Sequence, residues 1–146
     1  MLTNEFFNSF IGIYRPYVKR TQPILDEFDL HTGQWLVLRD IANSAPTTLV
    51  QISKRRFIEK PTTRKIIKAL SEKELLTITP GQDKREKILN LSNKGQKLFE
   101  DVNNRVTPIQ NHLLEKSDLT IEDLEHVIST MSKLHQTLSE EEEEKE

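Results

Sequence analysis

The chain has 146 residues, a formal charge of −2, 35% hydrophobic residues, 30% charged residues and no cysteine. Such a length holds one domain, or one domain with an appendage, and the missing cysteine excludes disulfides, thiolate metal sites and thiol redox sensing. Four glycines and six prolines argue against a loop-rich or all-β fold, and so much charge around so thin a core suits an elongated helical molecule whose helices find a partner in a second subunit.

No run approaches the ~20 apolar residues of a membrane span. Met1 to Ser9 has neither the basic lead nor the continuous apolar run of a signal peptide. A soluble, cytoplasmic protein without a membrane partner is expected.

From about Asn4 to Phe28, the residues Phe6, Phe7, Phe10, Ile13, Tyr14, Tyr17, Ile24, Leu25 and Phe28 recur at helical spacing. Pro16 and Pro23 lie inside this run, each removing a backbone donor. The pattern predicts a kinked helix or two helical pieces, with the aromatic stripe in the core or a subunit interface. Thr32 is placed to cap a short amphipathic helix carrying Trp35, Leu36, Val37, Leu38 and Ile41, which Ala45-Pro46 ends after Ser44. Thr47 or Thr48 caps a third helix, with Leu49, Ile52 and Phe57 pointing inward.

Pro61 starts a fourth helix, with Glu59 at the positive end of its dipole. Thr63, Ile66, Ile67 and Leu70 form its inward stripe, leaving Thr62, Arg64, Lys65 and Lys68 facing out. Leu76 to Thr79 is β-prone, Pro80-Gly81 is a turn signal, and Lys87 to Leu91 alternates as a returning strand, with a charged tip from Gln82 to Glu86. Ser92 caps a long helix through Leu98, Phe99, Val102 and Val106, which Pro108 bends and Leu113 and Leu114 continue. Thr120 and Asp123 form a capping-box variant before a last helix whose stripe is Leu124, Val127, Ile128, Met131, Leu134 and Leu138. Glu140 to Glu146 holds six Glu and one Lys and reads as a frayed, solvated tail.

Charge divides this chain unevenly. Gln51 to Asn90 carries eleven Lys or Arg against five Asp or Glu, a surplus of six, so the other 106 residues sum to −8. A positive block in an acidic chain favours a polyanion, whatever the net charge. Its cations fall on a helix end (Arg55, Arg56), on the outward face of the fourth helix (Arg64, Lys65, Lys68, beside the polar Thr62) and on the hairpin tip (Lys84, Arg85, Lys87). Arg makes bidentate bonds to guanine, Lys meets phosphate as a point charge, and a basic tip suits a narrow minor groove. Asp83 is placed to fix Arg85 by an ion pair. The order helix, turn, helix, hairpin with these charges predicts a module for double-stranded DNA.

The region from Trp35 to Leu91 resembles the MarR family of bacterial winged-helix regulators. Asp83-Lys84-Arg85 is similar to the family's D-x-R wing, and Leu91-Ser92-Asn93-Lys94-Gly95 to its L-[ST]-x-x-G start of the following helix. Leu49-Val50-x-Ile52 and Thr62-Thr63-Arg64-Lys65-Ile66-Ile67-x-x-Leu70 resemble its pair of reading helices, and Thr120 to Leu124 the start of its last helix. The resemblance implies a mainly α fold with a small β-hairpin wing over a single MarR-like domain. Residues 30–91 would form the winged helix-turn-helix part, 1–29 and 92–139 a helical dimerisation part, and 140–146 an acidic tail. It also implies a homodimer straddling a palindromic operator as a repressor of nearby genes, with Thr62, Arg64, Lys65 and Lys68 in the major groove and Arg85 in the minor groove. Glu74 stands where the family has glycine, Pro61 where it has a small polar residue, and Pro16 and Pro23 interrupt the first helix.

Members of the family are often released from DNA by small aromatic or amphipathic molecules. Tyr14, Arg15, Tyr17, His31 and Trp35 are the candidates here for such a pocket, with a filled core as the competing reading. His31, His112, His126 and His135 are scattered, and only His31 and His112 are candidates to meet across helices, so no metal and no cofactor is expected. Without a Gly-rich phosphate loop or a Cys nucleophile, an enzyme is not expected. The alternative function is a winged-helix protein-interaction module without specific DNA binding.

Overall fold

The computed structural model describes residues 1–83 and 85–145. Its elements in chain order are α1 (Leu2–Glu27), α2 (Thr32–Ser44), α3 (Leu49–Arg56), α4 (Lys60–Glu72), β1 (Leu76–Pro80), β2 (Lys87–Leu91), α5 (Asn93–Lys116) and α6 (Ile121–Lys145). They divide into two compact units, Met1–Ile109 and Gln110–Glu146.

In the first unit, α1 is one continuous helix through both prolines rather than two pieces. The carbonyls four residues before them belong to Gly12 and Lys19, both exposed, so they are not left unpaired in a dry core. Only the last turns of α1 enter the core, through Thr21, Ile24 and Leu25. Phe6, Phe7 and Phe10 instead make an edge-to-face cluster with centroids 5.4–6.2 Å apart, and each ring remains 38–39% exposed.

Two local expectations need correction. Thr32 does not cap α2. His31 does, its amide donating to Gln34 Oε1 at 3.0 Å, while the Thr32 hydroxyl donates to Gln22 Oε1 of α1 at 2.7 Å. Phe57 does not point inward either. Helix α3 stops at Arg56, Phe57 takes a left-handed φ of 55°, and this swings its ring off the apolar stripe to 48% exposure.

Thr48 caps α3 reciprocally with Gln51, through bonds of 3.3 and 3.1 Å. Helix α4 begins after Glu59 and buries Thr63, Ile67 and Leu70, with Ile66 half-buried beside them. Ser53 and Thr63 close the α3–α4 packing with a buried hydroxyl pair at 2.8 Å. Glu74 ends α4 with φ 62°, where glycine would be unstrained. Its amide donates to Ser71 O and that of Leu75 to Leu70 O, the two bonds of a Schellman stop made without glycine.

The hairpin pairs antiparallel from Leu76↔Leu91 to Pro80↔Lys87. Thr47 adds a one-residue rung on the other edge of β2, exchanging both amide bonds with Leu89 at 3.2 and 2.7 Å. Leu89 is thereby drawn into a core with Leu25, Val37, Leu38, Ile41, Ile52, Leu70 and Val102. Burying each such side chain contributes roughly 1.5–3 kcal/mol, which holds α2, α3, α4 and the hairpin as one body. Ser92 caps α5 as expected, accepting from the Gly95 amide at 3.0 Å and donating to the Glu74 carbonyl at 2.7 Å.

In the second unit, Thr120 and Asp123 form the expected reciprocal cap of α6, at 2.9 and 3.1 Å. Leu124, Met131 and Leu134 are half-buried, while Val127, Ile128 and Leu138 are exposed. Helix α6 continues through Lys145, so the acidic segment is helical instead of frayed. Glutamate is a good helix former, and Gln136 donates to Glu140 at 3.1 Å. Glu146 lies outside the described residues.

Candidate nucleic-acid interface

Inward burial of Thr63, Ile67 and Leu70 forces the rest of α4 outward, because a helix repeats every 3.6 residues. Thr62, Arg64, Lys65 and Lys68 are all exposed, as their spacing predicts. The hairpin rises beside them. Between α3, α4 and the hairpin lies a cleft of ≈ 1070 Å³ lined by Lys60, Arg64 and Lys68 on one side and Asp83, Arg85 and Lys87 on the other. The capped N-terminus of α3, from Thr48 to Gln51, closes its floor. Five cations line this cleft (Lys60, Arg64, Lys68, Arg85, Lys87) against three acids (Glu72, Asp83, Glu86) among the described residues, so its charge balance is positive. Thr62 and Lys65 lie on the same exposed helix face but outside the cleft lining.

Asp83 does reach Arg85, though not through an ion pair. Its Oδ1 accepts from the Arg85 backbone amide at 3.1 Å, while the Asp83 carbonyl accepts from Glu86 at 2.9 Å and the Gly81 amide closes on the Glu86 carbonyl at 2.8 Å. These bonds shape the turn and leave the Arg85 side chain exposed. Lys84 lies outside the described residues.

Arg55 has a different position from the other basic residues. Its guanidinium grips the Asp40 carboxylate of α2 by Nε at 3.1 and 3.2 Å and by Nη2 at 2.8 Å, and Nη2 also donates to Thr47 Oγ1 at 2.6 Å. Arg56, next to it, is half-buried. Asp40 escaped sequence reasoning because no local pattern pairs residues fifteen positions apart, and Thr47 reads in sequence only as a candidate cap and not as a partner of Arg55. Val50 and Ile78 also line the cleft, and their exposure of 43% and 38% contradicts the simple expectation that apolar residues go inside.

Elsewhere, the candidate effector residues separate. Trp35 is buried, its ring stacked on Phe99 with centroids 5.7 Å apart and planes at 28°. Tyr14, Arg15 and His31 are exposed, and Tyr17 is half-buried. Among the described residues no group of three His, Asp or Glu is arranged to hold a metal ion, and no helix is long and apolar enough to cross a membrane.

Comparison with known proteins decides the class. The MarR family profile matches residues 28–86, the segment that contains α2, α3, α4 and the first strand and turn of the hairpin. An uncharacterised HTH-type transcriptional regulator of Staphylococcus aureus (strain MRSA252) is 48% identical over 139 residues, covering 94% of this chain and 95% of the relative. The chain belongs to the MarR family.

The structure of native S. aureus MarR superposes with a TM-score of 0.90 at 48% identity, covering 97% of this chain and 99% of that one. A structure of S. aureus MarR in complex with salicylate and kanamycin gives 0.87 at the same identity, covering 97% and 95%. As a MarR-family member this chain is a winged helix-turn-helix transcriptional regulator. The β1–β2 hairpin is its wing.

Proposed function

We propose that this MarR-family protein is a sequence-specific repressor of nearby genes that binds a palindromic operator as a homodimer. One observation carries the reading. The exposed face of α4 and the wing present Arg64, Lys68, Arg85 and Lys87 across a single positively charged cleft. Duplex DNA offers phosphates and base edges to such a surface at once, with α4 in the major groove and Arg85 in the minor groove.

Residues 30–91 read the DNA in this proposal, and residues 1–29 and 92–139 join the two subunits. Exposure of Phe6, Phe7 and Phe10, and separately of Val127 and Ile128, supports the second assignment, since exposed apolar patches mark interaction surfaces. A small aromatic acid releases the protein from DNA, a step supported by the salicylate complex of the 48%-identical relative. Arg15, Tyr14, Tyr17 and His31 provide the polar and aromatic groups to receive it, while Trp35 anchors α2 from within the core.

Fluorescence anisotropy against duplex DNA from around its own gene, with a scrambled duplex for comparison and salt as the variable, tests the reading. Several displaced counterions give a steep fall of affinity with log salt and a clear preference for the native duplex. Salt-independent or absent binding would refute it. Salicylate added to the complex is expected to lower the anisotropy.

A further inference from the structure

We infer that Asp40 and Arg55 are positioning residues that hold the wing at its working angle to the recognition helix, and that Arg55 acts through this pair and not as a phosphate contact. The inference rests on the reading of the wing as a DNA contact and adds a residue pair to it. The Asp40 side chain is only 11% exposed and Arg55 binds it in a fork, a geometry in which each charge compensates the other's desolvation. Arg55 then passes the constraint on. Its Nη2 donates to the hydroxyl of Thr47, itself 1% exposed. That hydroxyl donates onward to Gln51 Oε1 at 3.1 Å, which also accepts from the Thr48 amide.

A hydroxyl that accepts from one partner and donates to another has its orientation fixed. The backbone of Thr47 is the rung that holds Leu89. Leu89 lies opposite Ile78, a residue of the cleft wall, and two positions before Leu89 stands Lys87 of the same wall. The chain of contacts therefore runs from α2 through α3 and the Thr47 rung into the arm that carries Arg85. Removing the Asp40 charge loosens the arm without substituting any DNA-facing side chain.

Asp40→Asn keeps the shape of the side chain and gives a sharp test, because the two roles for Arg55 predict opposite signs. A phosphate contact restrained by Asp40 would be released by the substitution, and DNA binding would become tighter and more salt-dependent. In the positioning role, affinity for the native duplex falls by about tenfold and the salt slope does not steepen, as expected when no phosphate contact is gained. The added cost of Arg85→Ala also shrinks in the Asp40→Asn background, because coupled residues are not additive.

Amide hydrogen exchange in the free protein provides a second readout. Exchange at Thr47 and Leu89 is expected to rise about tenfold relative to Ile41, reporting local opening of the rung. Unchanged exchange at both amides, or tighter DNA binding, would overturn the inference. If Asp40→Asn does not melt cooperatively, Thr47→Val, which keeps the branched shape and deletes the hydroxyl, decides by the same readouts. Failure of the wild-type protein to bind any duplex would remove the repressor reading alone, and the exchange data would still decide whether the network holds the wing.

Discussion

Gly95 lies against the backbone of Leu75. A Cβ on Gly95 would overlap the Leu75 carbonyl oxygen and sit 3.0 Å from its carbonyl carbon. The contact is made by backbone on both sides, with Ser92 donating its amide to the same Leu75 oxygen at 3.0 Å. The end of α4, the base of the wing and the first turn of α5 meet here. Gly95→Ala is therefore expected to destabilise the protein by about 1–3 kcal/mol, since the clash can be relieved only by moving backbone. Urea unfolding of the two proteins measures this, and equal midpoints would contradict it.

Glu74→Gly has the opposite expected sign. Glu74 sits at φ 62°, and its ion pair with Lys94 spans 3.9 Å between side chains that are 83% and 64% exposed. A pair so open to water contributes little, while left-handed backbone costs a non-glycine residue about 1–2 kcal/mol. Relief of strain outweighs the lost pair and the added freedom of the unfolded chain. A gain of about 1 kcal/mol in a thermal or urea melt is expected, with the Ser92 bond to the residue-74 carbonyl retained.

How much of this was legible beforehand follows from the range of each interaction. Thr48, Ser92 and the Thr120–Asp123 box cap their helices as spacing predicts, because a cap is a contact over three residues. The outward set Thr62, Arg64, Lys65 and Lys68 follows from helical period alone. Capping failed as a guide at α2, where Thr32 had a competing acceptor in Gln22, ten residues away on another helix. Nothing local in the sequence announces that Thr47 would bridge to Leu89, or that Arg55 would turn towards Asp40. These depend on tertiary neighbours brought together only by the core.

Substitutions on the exposed faces of α4 and the wing are expected to separate reading from attachment. Arg64 is exposed on α4 and Arg85 on the wing, so neither change to Ala should disturb the fold. Arg85→Ala is expected to weaken operator binding by about 1–3 kcal/mol. Arg64→Ala should in addition relax the preference among duplex sequences, as loss of a base contact does. Competition binding with single-base operator variants measures both. A uniform loss across all sequences would make Arg64 a phosphate contact.

The start of α6 carries a pH dependence. The backbone amide of Thr120, and then its hydroxyl, hold the Asp123 carboxyl below the ordinary aspartate value of 3.8. A depressed carboxylate supports the folded form fully above the unfolded value, and that support disappears as pH falls through the lower folded value. Wild type and Asp123→Asn should therefore differ in melting temperature at neutral pH and converge in acid below 3.8. A constant difference across that range would exclude Asp123 as the titrating group.

Helices α1, α3, α4 and α5 all stop near left-handed residues, Asp29, Phe57, Glu74 and Asp118, and none of the four is glycine. At Phe57 and Glu74 the left-handed backbone holds about 1–2 kcal/mol of avoidable strain, which aspartate at the other two stops bears more easily, and this is comparable to the effect of an ordinary single mutation. The protein thus carries, at junctions whose residues lie off the cleft lining, a reserve that substitution can recover. A lineage of such regulators could absorb destabilising changes on α4 while it acquires a new operator, compensating at a helix end outside the cleft.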